Sequence, residues 1–183
     1  LSMHHHEVGE GPVVLFLHGS GPGASGWSNF RDSAGFLAEH GYRCIMVDSL
    51  GYGHSSKPTD RPYTLSFMAG GALSLMDALG IDRFTLVGNS PGGAQAIWLA
   101  LEHPGRVTGL ILMAPGGLES RETYMQMRGI RSMMRCIYGP EGITLDGMQR
   151  VFSKQVVDPS RVPEGVIERR YAVAMTQPRH VFE

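Results

Sequence analysis

LVGNSPGGAQAIWLA, residues 86–100, runs from an apolar stretch through Gly88-Asn89-Ser90-Pro91-Gly92 into small and apolar residues at helical spacing. A strand, a G-x-S-x-G turn and a helix in that order form a nucleophile elbow, in which a strained turn lifts the serine hydroxyl above the sheet. The residue after such a serine ordinarily lends its backbone N–H to a developing oxyanion. Here that residue is Pro91, which has no N–H but suits the first position of a helix. Ser90 is therefore read either as a nucleophile with an altered oxyanion site or as part of a fold that has given up the chemistry.

Outward from the elbow, strand and helix patterns alternate. PVVLFLHG (12–19), YRCIMVDSLGYG (42–53), RFTLVGNS (83–90) and VTGLILMAPGG (107–117) read as strands buried on both faces. Between them, residues 26–41 place Trp27, Phe30, Ala34 and Leu37 on one helical stripe, and residues 65–80 do the same with Met68, Ala72, Leu75 and Leu79. Gly92 to His103 is a third, nearly all-apolar helix, stopped by Pro104-Gly105. Short connections between alternating elements imply an α/β fold with a doubly wound, mostly parallel sheet. Ligands of such sheets gather beyond the carboxyl ends of the strands, where His18-Gly19, Asp48, Ser90 and Pro115-Gly116 fall.

After Gly117 the pattern changes. Three helices without a strand are expected at 121–138, 145–157 and 163–177, a segment holding six of the eleven methionines. This divides the chain into a core, 1–117, and a helical lid, 118–183, whose thioethers either line an apolar pocket or fill the contact with the core. His4-His5-His6 reads as an edge strand with His4 and His6 on one face and His5 on the other; no Cys or carboxylate cluster completes a metal site, and these are read as surface residues.

The 183 residues carry a net charge of −1, which gives no electrostatic case for nucleic acid or an anionic membrane surface. VVLFL, the longest apolar run, is too short for a bilayer span or a signal-peptide core. Cys44 and Cys136 are far apart and read as reduced thiols, so a cytoplasmic protein is expected. His18 and Asp48 read as residues that tie loop backbone, and His54, His103 and His180 fall where no general base is expected.

LHGSGPGASGWSNF, VDSLGYGHS, LVGNSPGG and LILMAPGGL together resemble the α/β-hydrolase superfamily, and within it the meta-cleavage-product hydrolases. The resemblance runs through nearly the whole chain, helical segment included. It implies a cofactor-free serine hydrolase that cuts a C–C bond in a small carboxylate-bearing ring-fission product of aromatic catabolism. It also implies frequent self-association, so a homo-oligomer is a further expectation. Position by position, the resemblance makes Ser90 the nucleophile and has Ser20, with Gly21 beside it, supply an oxyanion-binding N–H. It places Asn29 at the carboxylate–enol end of the substrate, Asn89 before the nucleophile, Ser160 in contact with ligand and Arg170 on the carboxylate.

Arg170 has separate support, because its helical neighbours Val166, Ile167, Val173 and Ala174 are apolar and a guanidinium there needs an anion. Its alternatives are water, Glu164 or Glu168; for Asn29 and Asn89 the alternative is turn or capping chemistry. An ester or lactone hydrolase and a non-catalytic ligand-binding member are the other functional readings. In this fold the acid and base follow the serine on later strands, in the order Ser, Asp, His. The 183 residues hold no such strands, so they are expected to lack a complete triad; on the order of a hundred further residues would complete the sheet.

Overall fold

A computed structural model describes residues 1–182; Glu183 and the side chain of His180 lie outside the described residues. Five strands form one sheet: β1 (His5–Val8), β2 (Val13–Leu17), β3 (Arg43–Val47), β4 (Phe84–Asn89) and β5 (Val107–Met113). Their order is β1-β3-β2-β4-β5, with β1 antiparallel to β3 and the other pairs parallel. Helices α1 (Gly26–Glu39), α2 (Leu65–Ala78) and α3 (Pro91–Glu102) connect them.

The period-two alternation of β2 explains why helices cover both faces. Val14 and Phe16 point to one side and pack with Phe30 and Ala34 of α1. Leu15 and Leu17 point to the other and pack with Ala69, Ala72 and Met76 of α2 and with Ala96 and Leu99 of α3. The expected doubly wound, mostly parallel sheet is thus the observed one.

Two helical stripes differ from the expected ones. Trp27 is 48% exposed and its ring lies against His6 of β1, 4.8 Å between centroids, because the first turn of α1 overhangs the sheet edge. In α2, Ala72, Leu75 and Leu79 pack in or against the core as expected, the buried Ala69 and Met76 widen the stripe, and only Met68 leaves it, to line a cavity. The histidine triplet also departs from a purely surface role. His4 and His6 do share a face, with rings 4.8 Å apart, but His4 Nδ1 lies 2.9 Å from the buried Asp48 Oδ2. The antiparallel pairing of β1 on β3 brings this pair together across 44 residues.

Strand β5 differs from the others in leaving Leu110, Ile111, Leu112 and Met113 all at least 37% exposed. After it come α4 (Arg121–Gln126), α5 (Arg128–Tyr138), α6 (Leu145–Gln155), a 3₁₀ turn at Pro159–Arg161, α7 (Val166–Ala174) and a 3₁₀ turn at Arg179–Phe182. The expected helix 121–138 is two helices, because the extended Met127 (φ −74°, ψ 124°) interrupts the ladder. Cys136, Met148, Val151 and Ala174 form a small core of this segment. Gln177 ties it to the glycine loop, accepting from Gly23 N–H at 2.7 Å.

Among the described residues no helix is long and apolar enough to cross a membrane.

Candidate active site

The site is built around the junction of β4 and α3. Ser90 has φ 54° and ψ −124°, a conformation that costs a non-glycine residue about 1–3 kcal/mol and persists only where its surroundings enforce it. They do so through backbone bonds, of which three are short. Ser90 N–H donates to Met113 O at 3.0 Å, and Ser90 O accepts from Gly93 N–H at 2.8 Å and Gly116 N–H at 2.7 Å. The APGG turn after β5 is therefore part of the elbow's scaffold.

The elbow's glycines are required by close approach. A Cβ on Gly92 would lie 2.1 Å from Leu17 O, and one on Gly88 2.6 Å from Gly92 O. Gly92→Ala is expected to lower stability by about 3 kcal/mol, as overpacking against fixed backbone does. Gly70→Ala on α2, where the added methyl meets nothing within 4 Å, is expected to be neutral or to add up to about 1 kcal/mol. Urea denaturation of both variants checks this contrast, and equal effects would contradict it.

Opposite the elbow lies the loop after β2. His18 is buried; its Nε2 accepts from Ser49 N–H at 3.0 Å, so its Nδ1–H donates to Gly19 O at 2.7 Å. Burial, assisted by the charge of Arg170, holds the imidazole below its ordinary pKa against the opposing Gly19 and Asp48 contributions. It is a neutral, doubly bonded tie for the loop, as expected from sequence. Asp48 does similar work, accepting from Gly26 N–H at 2.8 Å and His54 N–H at 3.0 Å. The backbone N–H groups of Ser20, Gly21 and Gly92 have no acceptor among the described residues. These are the donors available to an oxyanion, since Pro91 occupies the first position of α3.

Arg170 reaches this loop from α7. Its Nε–H donates to Pro22 O at 3.2 Å, its guanidinium sits 5.1 Å from the Phe152 ring centroid, and a Cβ on Gly21 would be 3.0 Å from its Nη2. Burial pushes its pKa down to about 10, which leaves it charged near neutrality. No carboxylate lies within 4 Å of it among the described residues, so Glu164 and Glu168 are not its partners.

Between these elements is a cavity of about 300 Å³ whose lining includes Gly19, Ser20 and Pro91, which flank the elbow, together with Met68, Met133 and Ile137. Of the six methionines after Gly117, Met133 and Met134 line it, while Met148 is buried in the helical core. A larger hollow, lined by Arg131, Arg135 and Arg150 on α5 and α6, does not include the elbow.

One expected site residue is placed elsewhere, and another spends its amide within the protein. Ser160 is exposed in its 3₁₀ turn, and both its hydroxyl (2.7 Å) and its N–H (3.0 Å) donate to Asp158 Oδ1, so it serves the turn and does not line the cavity. Asn29 spends its amide bracing the loop against α1, accepting from the cavity-lining Gly19 N–H at 3.4 Å and donating to Ser25 O at 3.1 Å. Asn89 remains beside the elbow, donating to Met113 O at 3.2 Å. Among the described residues no imidazole or carboxylate bonds the Ser90 hydroxyl. Gln95 and Ser49, both buried at the cavity wall, escaped the sequence reading. The one signal for Gln95 is that it is the lone polar residue inside the apolar run of α3.

A family model described as alpha/beta hydrolase fold matches residues 12–150, and the chain belongs to that family. Its relatives narrow the class. It is 39% identical over 180 residues to a 2-hydroxy-6-oxo-6-phenylhexa-2,4-dienoate hydrolase of Comamonas testosteroni, covering 98% of this chain and 62% of the relative. A 2-hydroxy-6-oxononadienedioate/2-hydroxy-6-oxononatrienedioate hydrolase of the same species is also 39% identical, with the same coverage. The fold superposes on a meta-cleavage product hydrolase from Pseudomonas fluorescens with a TM-score of 0.83 at 30% identity, over 98% of this chain and 64% of that one. The chain thus spans about 62% of the length of these curated relatives.

Proposed function

We propose that this protein is a serine-dependent hydrolase that cleaves the C–C bond of a 2-hydroxy-6-oxo-dienoate, an aromatic ring-fission product. The observation that carries this reading is Arg170, a partly buried guanidinium with no carboxylate partner among the described residues, held at the glycine loop that faces the Ser90 elbow. A substrate carboxylate supplies the missing anion, and the fork geometry of arginine suits it. Residues 118–183 then act as a lid over the core formed by 1–117, and the two buried free cysteines fit a reducing, cytoplasmic setting.

With the acid end on Arg170, the dienol first shifts to its keto form, which makes C5 a better leaving carbon. The Ser90 oxygen then attacks the C6 carbonyl. The Ser20 N–H, with Gly21 or Gly92 beside it, receives the negative charge on the carbonyl oxygen. Collapse breaks the C5–C6 bond, its electron pair passing through the C3=C4 double bond to the C2 oxygen as a dienolate that takes up a proton there, and water releases the acyl group from Ser90 as a carboxylic acid. The base that deprotonates serine and water is not among the described residues.

Arg170→Gln is expected to raise the Kd for the phenyl dienoate about 100-fold, the effect of removing a charge-assisted pair from a partly dry site. Arg170→Lys is expected to recover only part of the loss. An unchanged Kd in both variants would remove the carboxylate clamp from this account.

A second reading, a ligand-binding member without turnover, is favoured by Pro91 and by the unpartnered Ser90 hydroxyl. It keeps the Arg170 result and forbids any loss of the yellow dienolate absorbance. An ester or lactone hydrolase would instead turn over esters and leave that absorbance intact.

A further inference from the structure

The cavity beside the elbow has a polar patch that neither the nucleophile nor the carboxylate clamp uses. Gln95 and Ser49 are each 2% exposed, and Gln95 Oε1 and Ser49 Oγ have no hydrogen-bond partner among the described residues. Both residues line the same cavity, among Leu65, Met68 and Met134. Their backbones are pinned, Gln95 within α3 and Ser49 by its N–H bond to His18 Nε2, so neither can turn away to solvent. Buried polar atoms are nearly always paired, and one that is not calls for an explanation. Two on one cavity wall point to a ligand group that completes them.

We infer that Gln95 and Ser49 form a subsite for a neutral hydroxyl on the tail of the substrate, that is, on the fragment beyond the C6 ketone. This rests on the proposed dienoate reading and adds the tail chemistry to it. A hydroxyl fits because it both donates and accepts. It satisfies the Gln95 amide whichever way that amide is turned, and it matches the hydroxyl of Ser49 equally well. A second carboxylate does not fit. The cavity lining includes no Lys or Arg, and His18, held neutral, offers no charge to pair with it. A plain hydrocarbon tail fits poorly, because it would seal both polar atoms away from any partner.

The test measures binding in the Ser90→Ala background, so that it does not depend on turnover. The probes are 2-hydroxy-6-oxo-6-phenylhexa-2,4-dienoate, its three ring-hydroxylated isomers and 2-hydroxy-6-oxononadienedioate. One hydroxylated isomer is expected to bind at least about 10-fold tighter than the phenyl compound, and the diacid weakest of all. Adding Gln95→Leu is expected to abolish the preference by weakening the hydroxylated isomer and tightening the phenyl one; Ser49→Ala, a smaller change, is expected to reduce it. Equal binding of phenyl and hydroxyphenyl probes, or a preference that survives both substitutions, would overturn the subsite while leaving the dienoate reading intact. Failure of every probe to bind would overturn both.

Discussion

On the proposed function, Ser90→Ala is expected to abolish C–C cleavage, lowering turnover by roughly 10⁴-fold or more, while the Kd for the phenyl dienoate stays within about threefold. The two halves of this expectation come from different features. The rate falls because no other described nucleophile stands at the elbow between the Ser20 loop and the start of α3. Binding is kept because the Ser90 hydroxyl makes no hydrogen bond among the described residues and alanine retains the Cβ, so the backbone at φ 54° carries the same strain in both forms. Single-turnover absorbance together with equilibrium titration separates the two quantities. Loss of binding in parallel with turnover would mean that the substitution disturbs the elbow itself.

Pro91→Met raises turnover by about 10²–10³-fold, the value of one oxyanion-hole donor. Proline at the first turn of α3 satisfies the helix, since that N–H has no intrahelical acceptor, but it deprives the site of the amide nearest the developing oxyanion. The substitution restores this donor at a cost of up to about 1 kcal/mol in stability, because proline no longer restricts the unfolded chain. Stopped-flow measurement of dienolate loss in the two proteins decides the matter. Identical rates would assign the oxyanion to Ser20, Gly21 and Gly92 and leave position 91 without a catalytic part.

The layered core was legible because its strands are short apolar runs punctuated by glycine, and its helices carry caps such as Ser25 and Thr64 ahead of periodic apolar residues. The elbow was legible from its glycine spacing together with the order of strands and loops around it, since only glycine can stand where Leu17 O and Gly92 O come so near. What stayed hidden depends on tertiary contact. Met68 leaves the stripe of α2 because a cavity takes it, and no periodicity announces a cavity. Asn29 and Ser160 have the residue types of ligand contacts, yet local carbonyl, N–H and carboxylate groups already satisfy them. His4 meets Asp48 only because β1 folds back on β3. Gln95 looks like an unremarkable helix residue until burial leaves its amide with nothing to bond.

On the proposed function, the turn at residue 90 presents a reactive oxygen beside the cavity, and Arg170, at the adjoining glycine loop, holds the substrate carboxylate. The most direct test of this central claim is mass-spectrometric mapping of the protein after treatment with a fluorophosphonate. The account expects one adduct, on Ser90, whose formation is suppressed by excess phenyl dienoate and is no longer suppressed in Arg170→Gln. Absence of any adduct on Ser90 in a protein that still binds the dienoate would contradict it and leave a binding protein in place of an enzyme.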